Sequence, residues 1–198
     1  EAVLQDKTYY IGNKKLCDAQ GLDFAEYEQE ANEIASKGQT PMFVGSDGKV
    51  IGIVSVADTM KETSTEAIRK IRELGIEVHM LTGDNRLTAD YIGEKVGVDH
   101  VIAEVLPNDK ASVVETLQRQ GKCVMMVGDG INDAPVLAGA DVGAAMGSGA
   151  DAAIEAADVV FMHSRVSAIP TSLRIARRTQ KTAKRIISFA LVVKLAVM

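Results

Sequence analysis

A loop rich in glycine and aspartate follows the apolar run 123–127, and it carries the two carboxylates best suited to chemistry in this sequence. Asp129 and Asp133 lie on either side of Gly130, next to the predicted start of a helix. Two hard carboxylates at the end of a strand are typical ligands of octahedral Mg²⁺, which keeps several waters and takes a phosphate oxygen. The alternative is a pair of solvated turn aspartates, which the long Gly/Asp/Asn run after a buried strand disfavours.

A second loop of this kind follows the apolar run 77–81. Thr82 offers a hydroxyl and an N–H to a phosphate oxygen, and Gly83 allows close approach to the backbone. Lys110 begins the helix before strand 123–127, where a positive charge would stabilise a phosphoryl group. Taken alone, Gly83-Asp84 is explained about as well by an ordinary turn, and Lys110 by an exposed lysine. Together the two loops and the lysine indicate phosphoryl transfer.

Strands and helices that alternate from residue 58 onward must position these loops. We expect helices at 63–74, 87–96, 109–119 and 150–156, a helical turn at 133–138, and strands at 77–81, 101–102, 123–127, 142–145 and 159–162. This alternation is typical of βα units on a parallel sheet, where ligands bind at the carboxyl ends of the strands. The earlier residues predict a strand at 9–11, a helix at 24–37 and a β-hairpin at 42–56.

The composition excludes several classes of protein. With 46% hydrophobic and 25% charged residues, the chain is globular rather than disordered. Cys17 and Cys123 lie far apart and in no CxxC pattern, which disfavours a disulfide scaffold or a thiolate zinc site and favours a reducing compartment. The absence of Trp argues against an aromatic platform for single-stranded nucleic acid.

The net charge of −5 divides unevenly along the chain. Seven of the 22 Lys and Arg residues lie from Arg174 onward, where there is no Asp or Glu, so residues 1–173 hold 15 basic against 27 acidic side chains, a net charge of −12. Nucleic acid is a poor partner for so acidic a body, and we expect none.

The last 13 residues, 186–198, are almost wholly apolar. As a helix they would span roughly 20 Å, short of the ~30 Å hydrocarbon core of a bilayer. The basic residues directly upstream favour a membrane helix with a basic cytoplasmic flank, and a buried C-terminal helix is the alternative. The chain begins at Glu1 without an initiator Met and stops within this apolar run, so we expect both ends to be cut.

Three segments resemble, in order and spacing, the hallmark segments of P-type ATPases: Met80-Leu81-Thr82-Gly83-Asp84-Asn85, Val105-Leu106-Pro107-Asn108-Asp109-Lys110 and Met126-Val127-Gly128-Asp129-Gly130-Ile131-Asn132-Asp133-Ala134-Pro135. The following segment 140–147 matches as well. Within that family the chain is similar to the heavy-metal-transporting branch. The resemblance covers essentially the whole chain, and it implies ATP and Mg²⁺ as cofactors.

The resemblance also implies a domain organisation. Residues 1–57 would be the C-terminal part of an α+β nucleotide-binding domain. Residues 58–165 would be a haloacid-dehalogenase-like phosphorylation domain, an α/β parallel sheet with helices on both faces whose central nucleophile strand is missing. A basic linker helix at 166–185 would lead into a truncated transmembrane helix at 186–198. In the parent pump this portion would lie mostly on the cytoplasmic side of the plasma membrane.

Site roles follow from the same resemblance. Thr82 and Gly83 would contact the aspartyl phosphate, Asp84 would help to align nucleotide and Mg²⁺, and Lys110 would neutralise the phosphoryl charge. Asp129 and Asp133 would bind Mg²⁺, with Asn132 and Asp133 holding that site together. The implied cofactor-binding residues are Gly12, Asn13, Asp84 and Asn132.

The nucleophile of the family, the Asp of a DKTGT segment, is not present in these 198 residues. Asp6 begins a near match, but Tyr9 and Tyr10 follow where Gly and Thr are needed. Asp58 follows an apolar run and imitates a nucleophile position, yet Met60 stands where an Asp or Thr is expected. Without an acceptor carboxylate there is no acyl-phosphate intermediate. We therefore predict that this chain alone neither hydrolyses ATP nor moves ions.

The transported ion and the class of protein each leave alternatives. Thr82-Gly83-Asp84-Asn85 and the segment 103–107 look slightly more like copper pumps, whereas Lys194 in the apolar tail resembles the zinc and cadmium pumps. A lysine inside a membrane helix is costly and therefore usually functional, so we favour Zn²⁺ or Cd²⁺ over Cu⁺. The rival classes are a stand-alone phosphatase of the haloacid dehalogenase superfamily, which needs a DxD nucleophile, and a non-catalytic module that binds Mg²⁺ or nucleotide.

Overall fold

The computed structural model describes residues 1–5, 7–57, 62–163 and 165–197. Its strands and helices in chain order are β1 (Ala2–Leu4), β2 (Lys7–Gly12), α1 (Lys14–Gln20), α2 (Glu28–Ser36), β3 (Thr40–Ser46), β4 (Lys49–Val56), α3 (Glu62–Glu73), β5 (His79–Leu81), α4 (Arg86–Val96), β6 (His100–Ile102), α5 (Lys110–Arg119), β7 (Met125–Gly128), α6 (Ala134–Gly139), β8 (Val142–Met146), α7 (Asp151–Ala156), β9 (Val159–Phe161) and α8 (Ala168–Val197). The chain divides into two compact units, residues 1–61 with 78–110 and residues 62–77 with 111–198.

The first unit contains an antiparallel sheet with the strand order β1-β2-β3-β4. The β3–β4 hairpin turns at Asp47 and Gly48, whose φ angles of 50° and 79° are those of a two-residue turn that matches the twist of the strands. Cys17 of α1 and Ala31 of α2 are buried in one apolar cluster with Phe43 of β3. The predicted hairpin is therefore confirmed.

A βαβ segment completes the first unit. Strands β5 and β6 pair in parallel, with His79 opposite His100 and Leu81 opposite Ile102, and α4 connects them. Helix α4 ends at Gly97, whose φ of 78° is the left-handed conformation that glycine adopts without strain. The carboxyl end of β5 leads directly into residues 82–85, the Thr82 loop.

The second unit contains the parallel sheet β7-β8-β9. Leu137 of α6, Ala145 of β8 and Ala153 of α7 are completely buried in one cluster, because these helices cover the sheet with small and branched side chains. Helices α3 and α8 also pack together in this unit, where the Arg177 guanidinium donates a 2.6 Å hydrogen bond to the Leu74 carbonyl. The carboxyl end of β7 leads into residues 129–133, the Asp129 loop.

The mixed α/β fold with parallel strands is as predicted, and the parallel strands form two separate sheets rather than one. Sequence patterns missed α1, a helix of seven residues whose start is capped by the Asn13 side chain. The helix expected from residue 24 starts later, at Glu28, because a 3₁₀ turn occupies Ala25–Tyr27. The strand expected at 77–81 is shorter, because the Val78 N–H donates to the Asp99 carboxylate instead of to a strand.

The C-terminal region is one continuous helix. Helix α8 covers residues 168–185 of the predicted linker helix and residues 186–197 of the predicted membrane helix, and residue 198 lies outside the described residues. None of the helices in the described ranges combines the length and the apolar character that spanning a bilayer requires. The two near-miss aspartates, Asp6 and Asp58, lie outside the described residues.

Candidate functional site

The Thr82 loop extends the β5–β6 ladder by one residue at its carboxyl end. The Thr82 N–H donates to the Ile102 carbonyl at 3.0 Å, and the Thr82 carbonyl accepts from the Val105 N–H at 3.0 Å. The Thr82 hydroxyl donates to a carboxylate oxygen of Asp84 at 2.7 Å, and the Asp84 N–H donates back to that hydroxyl at 3.2 Å. The loop is therefore held by its own polar groups, which bring Thr82 and Asp84 together.

Gly83 at the tip of this loop is exposed. A Cβ atom built at Gly83 would meet only the Val105 carbonyl oxygen, at an ordinary contact distance of 3.5 Å. Packing within the chain therefore does not require glycine here. A requirement for glycine at this position would have to come from a ligand that approaches the backbone.

Asp84 also contacts the start of β3. The Thr40 hydroxyl at the start of β3 donates to the second carboxylate oxygen of Asp84 at 3.5 Å, and the Asp84 carbonyl accepts from the Glu104 N–H at 2.9 Å. Glu104 has a φ of 58°, the left-handed region, so this connection is locally strained. Half-buried Asp84 is thereby fixed on both its side chain and its backbone.

A buried threonine fastens the same region. The Thr88 hydroxyl donates to the Gln39 carbonyl at 3.0 Å and accepts from the Asn85 side-chain amide at 2.9 Å. Asn85 caps α4, because its side-chain oxygen accepts from the Thr88 N–H at 3.0 Å. Thr88 is only 1% exposed, so these bonds are shielded from water. Thr40, Asn85 and Thr88 are not among the predicted site residues. The only local signal for any of them is the cap pair Asn85-x-x-Thr88.

Lys110 is the first residue of α5 and follows a 3₁₀ turn at Pro107–Asp109. It is half-buried and belongs to the same compact unit as the Thr82 loop. Asp129, Asn132 and Asp133 belong to the other unit. The predicted site residues are thus divided between the two units.

The Asp129 loop is built around the Asp133 carboxylate. Asp133 is 7% exposed, and one of its carboxylate oxygens accepts from the Gly130 N–H at 3.1 Å. A Cβ atom at Gly128 would lie 2.8–2.9 Å from the Asp133 side chain, too close for any other residue type to fit without a shift. Gly128 therefore leaves the space that the buried Asp133 carboxylate needs beside the end of β7, and the Gly130 N–H holds that carboxylate in place.

Asp129, in contrast to the buried Asp133, is accessible to solvent. Its side chain is exposed, and its carbonyl accepts from the Ala150 N–H at 2.8 Å, which ties the loop to the start of α7. Asn132 is exposed in the one-turn 3₁₀ helix between Gly130 and Ala134. One exposed and one buried carboxylate, with backbone carbonyls beside them, are the hard oxygen donors that suit Mg²⁺. The residues therefore fit the ion that the sequence predicts, with Asp133 holding the loop and Asp129 accessible.

Two further aspartates anchor the opposite ends of the strands. Asp141 accepts from the Val124 N–H at 2.8 Å, and Asp158 accepts from the Gly143 N–H at 2.8 Å. The Val124 N–H, followed by the side chain of Gln118, lowers the pKa of Asp141 below its ordinary value of 3.8. These contacts fix the amino ends of β7 and β8. Since the Asp129 loop follows the carboxyl end of β7, they also help to fix the position of that loop.

The remaining predicted residues have local structural contacts. Asn13 caps α1, because its side-chain oxygen accepts from the Leu16 N–H at 3.1 Å. A Cβ atom at Gly12 would lie 2.4 Å from a terminal methyl of Leu16, so another residue there would require the Leu16 side chain to shift. Lys194 is exposed near the end of α8. Among the described residues, no hydrogen bond joins Gly12 or Asn13 to the Thr82 loop in the first unit, or Lys194 to the Asp129 loop in the second.

Comparison with known proteins gives a consistent picture. A family model described as a haloacid dehalogenase-like hydrolase matches residues 3–141. The chain is 45% identical over 186 residues to the probable copper-importing P-type ATPase A of Enterococcus hirae, covering 93% of this chain and 26% of that protein. It is 42% identical over 185 residues to the copper-exporting P-type ATPase of Bacillus subtilis, covering 93% of this chain and 23% of that protein. The chain thus spans about a quarter of the length of these curated relatives.

Solved structures agree with the sequence relatives on the class of protein. A zinc-transporting PIB-type ATPase in the E2.Pi state superposes with a TM-score of 0.71 at 34% identity, over 96% of this chain and 30% of that one. The catalytic domain of the CPx-ATPase CopB-B, solved in a study of nucleotide binding, gives a TM-score of 0.55 at 27% identity, over 66% of this chain and 52% of that one. The chain belongs to the haloacid dehalogenase-like hydrolase family and corresponds to a segment of the heavy-metal P-type ATPases.

Proposed function

We propose that these residues form the Mg²⁺- and phosphate-binding part of the phosphorylation domain of an ATP-driven heavy-metal pump. The observation that carries this proposal is the loop after β7, where Gly128 and Gly130 seat the buried Asp133 carboxylate and leave Asp129 exposed. Such a loop presents a carboxylate at a fixed place without covering it. The similarity to curated heavy-metal ATPases over 93% of the chain supports the same function.

The role proposed for each residue is the one that the family resemblance implies. Asp129 and Asp133 would hold Mg²⁺, which neutralises charge on a phosphoryl group when it is bound. Asp133 keeps the loop in shape through the Gly130 N–H. Thr82 and Gly83 would contact the phosphoryl group, and Lys110 would add a positive charge beside it. Asp84, fixed by Thr40 and Thr82, would align the nucleotide.

The nucleotide side of the proposal rests on the first unit. Gly12, Asn13 and Asp84 of this unit would lie next to ATP, and Asn132 of the second unit is the remaining residue that the family resemblance assigns to the cofactor. The position of Gly12 and Asn13 at the end of β2, where Asn13 caps α1, supports a fixed backbone at that point. The relation to a CPx-ATPase catalytic domain that was studied on nucleotide binding favours the same role.

We propose that these 198 residues alone do not turn over ATP, since no DKTGT segment is present to accept the phosphoryl group. A stand-alone phosphatase would need a DxD pair, which the sequence does not supply at Asp58. A module that binds Mg²⁺ or nucleotide without turnover stays the second candidate. It is distinguished by whether Asp129 is required for phosphorylation in a pump that contains these residues.

For the transported ion we propose Zn²⁺ or Cd²⁺, on the basis of Lys194 within the apolar part of α8. The zinc-transporting structure supports this choice, while the names of the sequence relatives favour Cu⁺ as the second candidate. In a full-length pump that contains this segment, Lys194→Ala should impair zinc-stimulated ATPase activity. An unchanged zinc response, or stimulation by Cu⁺ alone, would favour the copper candidate.

We also propose that α8 leads from the cytoplasmic side into the bilayer. Its 30 residues correspond to about 45 Å of helix. Its charged residues from Arg174 to Arg185 are all basic, and exposed apolar side chains follow: Ile186, Ile187, Phe189, Leu191, Val192, Val193 and Leu195. A basic segment followed by an apolar one is the order expected at the cytoplasmic face of a membrane.

Binding of Mn²⁺, as a paramagnetic substitute for Mg²⁺, tests the proposed ion site. Electron paramagnetic resonance of Mn²⁺ titrated into the purified chain should show binding that Mg²⁺ displaces. Because outer contacts to a metal ligand already change affinity 10–100-fold, loss of a ligand in Asp129→Asn should weaken binding at least about tenfold. Asp151→Asn, an exposed aspartate in the same unit, is the matched control. Equal binding by Asp129→Asn and the parent chain would refute the assignment.

A further inference from the structure

Two histidines face each other at the start of the β5–β6 sheet. His79 and His100 are register partners in the parallel pair, so their side chains lie on the same face of the sheet. Their imidazole rings stack with centroids 4.5 Å apart and an angle of 30° between the ring planes. The proposed phosphoryl-transfer site uses neither residue.

The backbone holds this pair in place. The Val78 carbonyl accepts from the N–H groups of both Asp99 and His100, at 2.9 and 3.2 Å. The Asp99 carboxylate in turn accepts from the Val78 N–H at 2.9 Å. These three hydrogen bonds connect the residues just before the two strands, so the Cα atoms of the two histidines are fixed relative to each other.

The location of the pair separates it from the Thr82 loop. His79 and His100 begin their strands, whereas Thr82 follows the last residue of β5. In a parallel sheet the amino ends and the carboxyl ends of the strands lie on opposite sides of the sheet. His79 is half-buried and His100 is exposed, so the pair is open to solvent on one side.

We propose that His79 and His100 together bind a late first-row divalent ion such as Zn²⁺. A ring nitrogen of each lies within 4.8 Å of the other. Two imidazoles that share one ion at a metal–nitrogen distance of about 2.0–2.1 Å have their nitrogens about 3–4 Å apart. To hold one ion between them the two rings must turn so that a nitrogen of each points at it, and the exposed His100 has solvent on one side, which gives its side chain room to make that turn. Water completes the coordination, and imidazole selects Zn²⁺ or Cu²⁺ over Mg²⁺.

Calorimetric titration of ZnCl₂ into the untagged chain tests this proposal, with excess Mg²⁺ present to occupy carboxylate sites. The parent chain should bind one equivalent of Zn²⁺. Since changes in outer contacts alone cost 10–100-fold, removal of one imidazole in His100→Gln or His79→Gln should weaken binding at least about tenfold. His163→Gln, an exposed histidine in the other unit, is the matched control and should bind as the parent does. Cys123→Ser should likewise leave binding unchanged.

Nitrogen-15 spectra of the histidine rings provide a second readout that does not depend on the half-buried variant folding. Added Zn²⁺ should shift the ring signals of His79 and His100 together and leave those of His163 in place. Zinc binding equal in the parent chain and His100→Gln, or ring shifts confined to His163, would overturn the proposal. His100→Gln should keep its Mn²⁺ binding at the Asp129 loop, so failure of this site is distinguishable from failure of the proposed function.

Discussion

Thr82 and Asp84 exchange hydrogen bonds within one loop: the Thr82 hydroxyl donates to the Asp84 carboxylate at 2.7 Å, and the Asp84 N–H donates back at 3.2 Å. The loop is thus ordered before any ligand arrives. A bond between a hydroxyl and a carboxylate is charge-assisted and stronger than one between neutral groups. The half-buried position of both residues adds to that strength by limiting access of water.

Replacement of this hydroxyl should destabilise the chain. Thr82→Val keeps the shape of the side chain but removes a bond to a charged group, worth about 1.5–3 kcal/mol, and we expect a loss of unfolding free energy toward the lower end. Thr82→Ser keeps the hydroxyl and should lose less. Urea unfolding followed by circular dichroism measures both. Equal stability of Thr82→Val and the parent chain would show that the reciprocal bonds do not order this loop.

Thr88→Val tests the buried contact between α4 and the segment before β3. The substitution leaves the Gln39 carbonyl and the Asn85 amide without this partner in a shielded place, which costs about 1–3 kcal/mol. The matched control is Thr116→Val on the exposed face of α5, which should change the unfolding free energy by less than about 0.5 kcal/mol. If the two variants unfold at the same urea concentration, the contact carries no stability.

Two glycine-to-alanine substitutions should differ in their effect on the stability of the chain. Gly128→Ala forces a Cβ atom to within 2.8–2.9 Å of the Asp133 side chain, so it should cost about 1–3 kcal/mol and weaken Mn²⁺ binding. Gly83→Ala meets only the Val105 carbonyl at 3.5 Å and should keep the stability of the parent within about 0.5 kcal/mol. Thermal unfolding and Mn²⁺ titration of both variants check this. A destabilised Gly83→Ala would mean that the chain itself requires glycine at that position.

Asp141 should make the stability of the chain depend on pH. Its pKa is lowered in the folded state by the Val124 N–H and Gln118, so its contribution is present above the ordinary value of 3.8 and is lost as the pH falls through the folded value. Asp141→Asn should therefore be less stable than the parent at pH 7, and the difference should shrink as the pH falls below 3.8 toward the lowered pKa of the folded state. Urea midpoints measured from pH 7 to pH 2.5 give the curve.

The control for that curve is Glu94→Gln, which changes the net charge by the same amount at an exposed position on α4. It should show no such pH-dependent difference from the parent chain. A difference between Asp141→Asn and the parent that persists unchanged to pH 2.5 would contradict the hydrogen-bond explanation.

The sequence predicted those turns and helix ends that are set by the backbone conformation of one or two residues. Asp47-Gly48 identified the hairpin and Gly97 identified the end of α4, because each sets the backbone conformation at its own position. The glycine-rich run after 123–127 likewise identified the Asp129 loop. The geometry there adds a distinction that residue types could not supply, namely that Asp133 is buried and Asp129 exposed.

Contacts between distant residues could not be predicted in this way. The bond from Thr88 to the Gln39 carbonyl joins residues 49 positions apart, and the stacking of His79 on His100 depends on the register of two strands. Neither periodicity nor a short motif encodes such a pairing. Helix α1 was missed for a different reason, since seven residues are too few to show a helical repeat.

Phosphate release from Mg²⁺-ATP by the purified chain is the most direct test of the proposal that it holds the magnesium- and phosphate-binding half of a phosphorylation domain without the acceptor aspartate. We expect release no faster than in buffer alone, and the same result for Asp58→Asn. Mg²⁺-dependent turnover that Asp58→Asn abolishes would contradict the proposal, because it would identify an acceptor within these 198 residues.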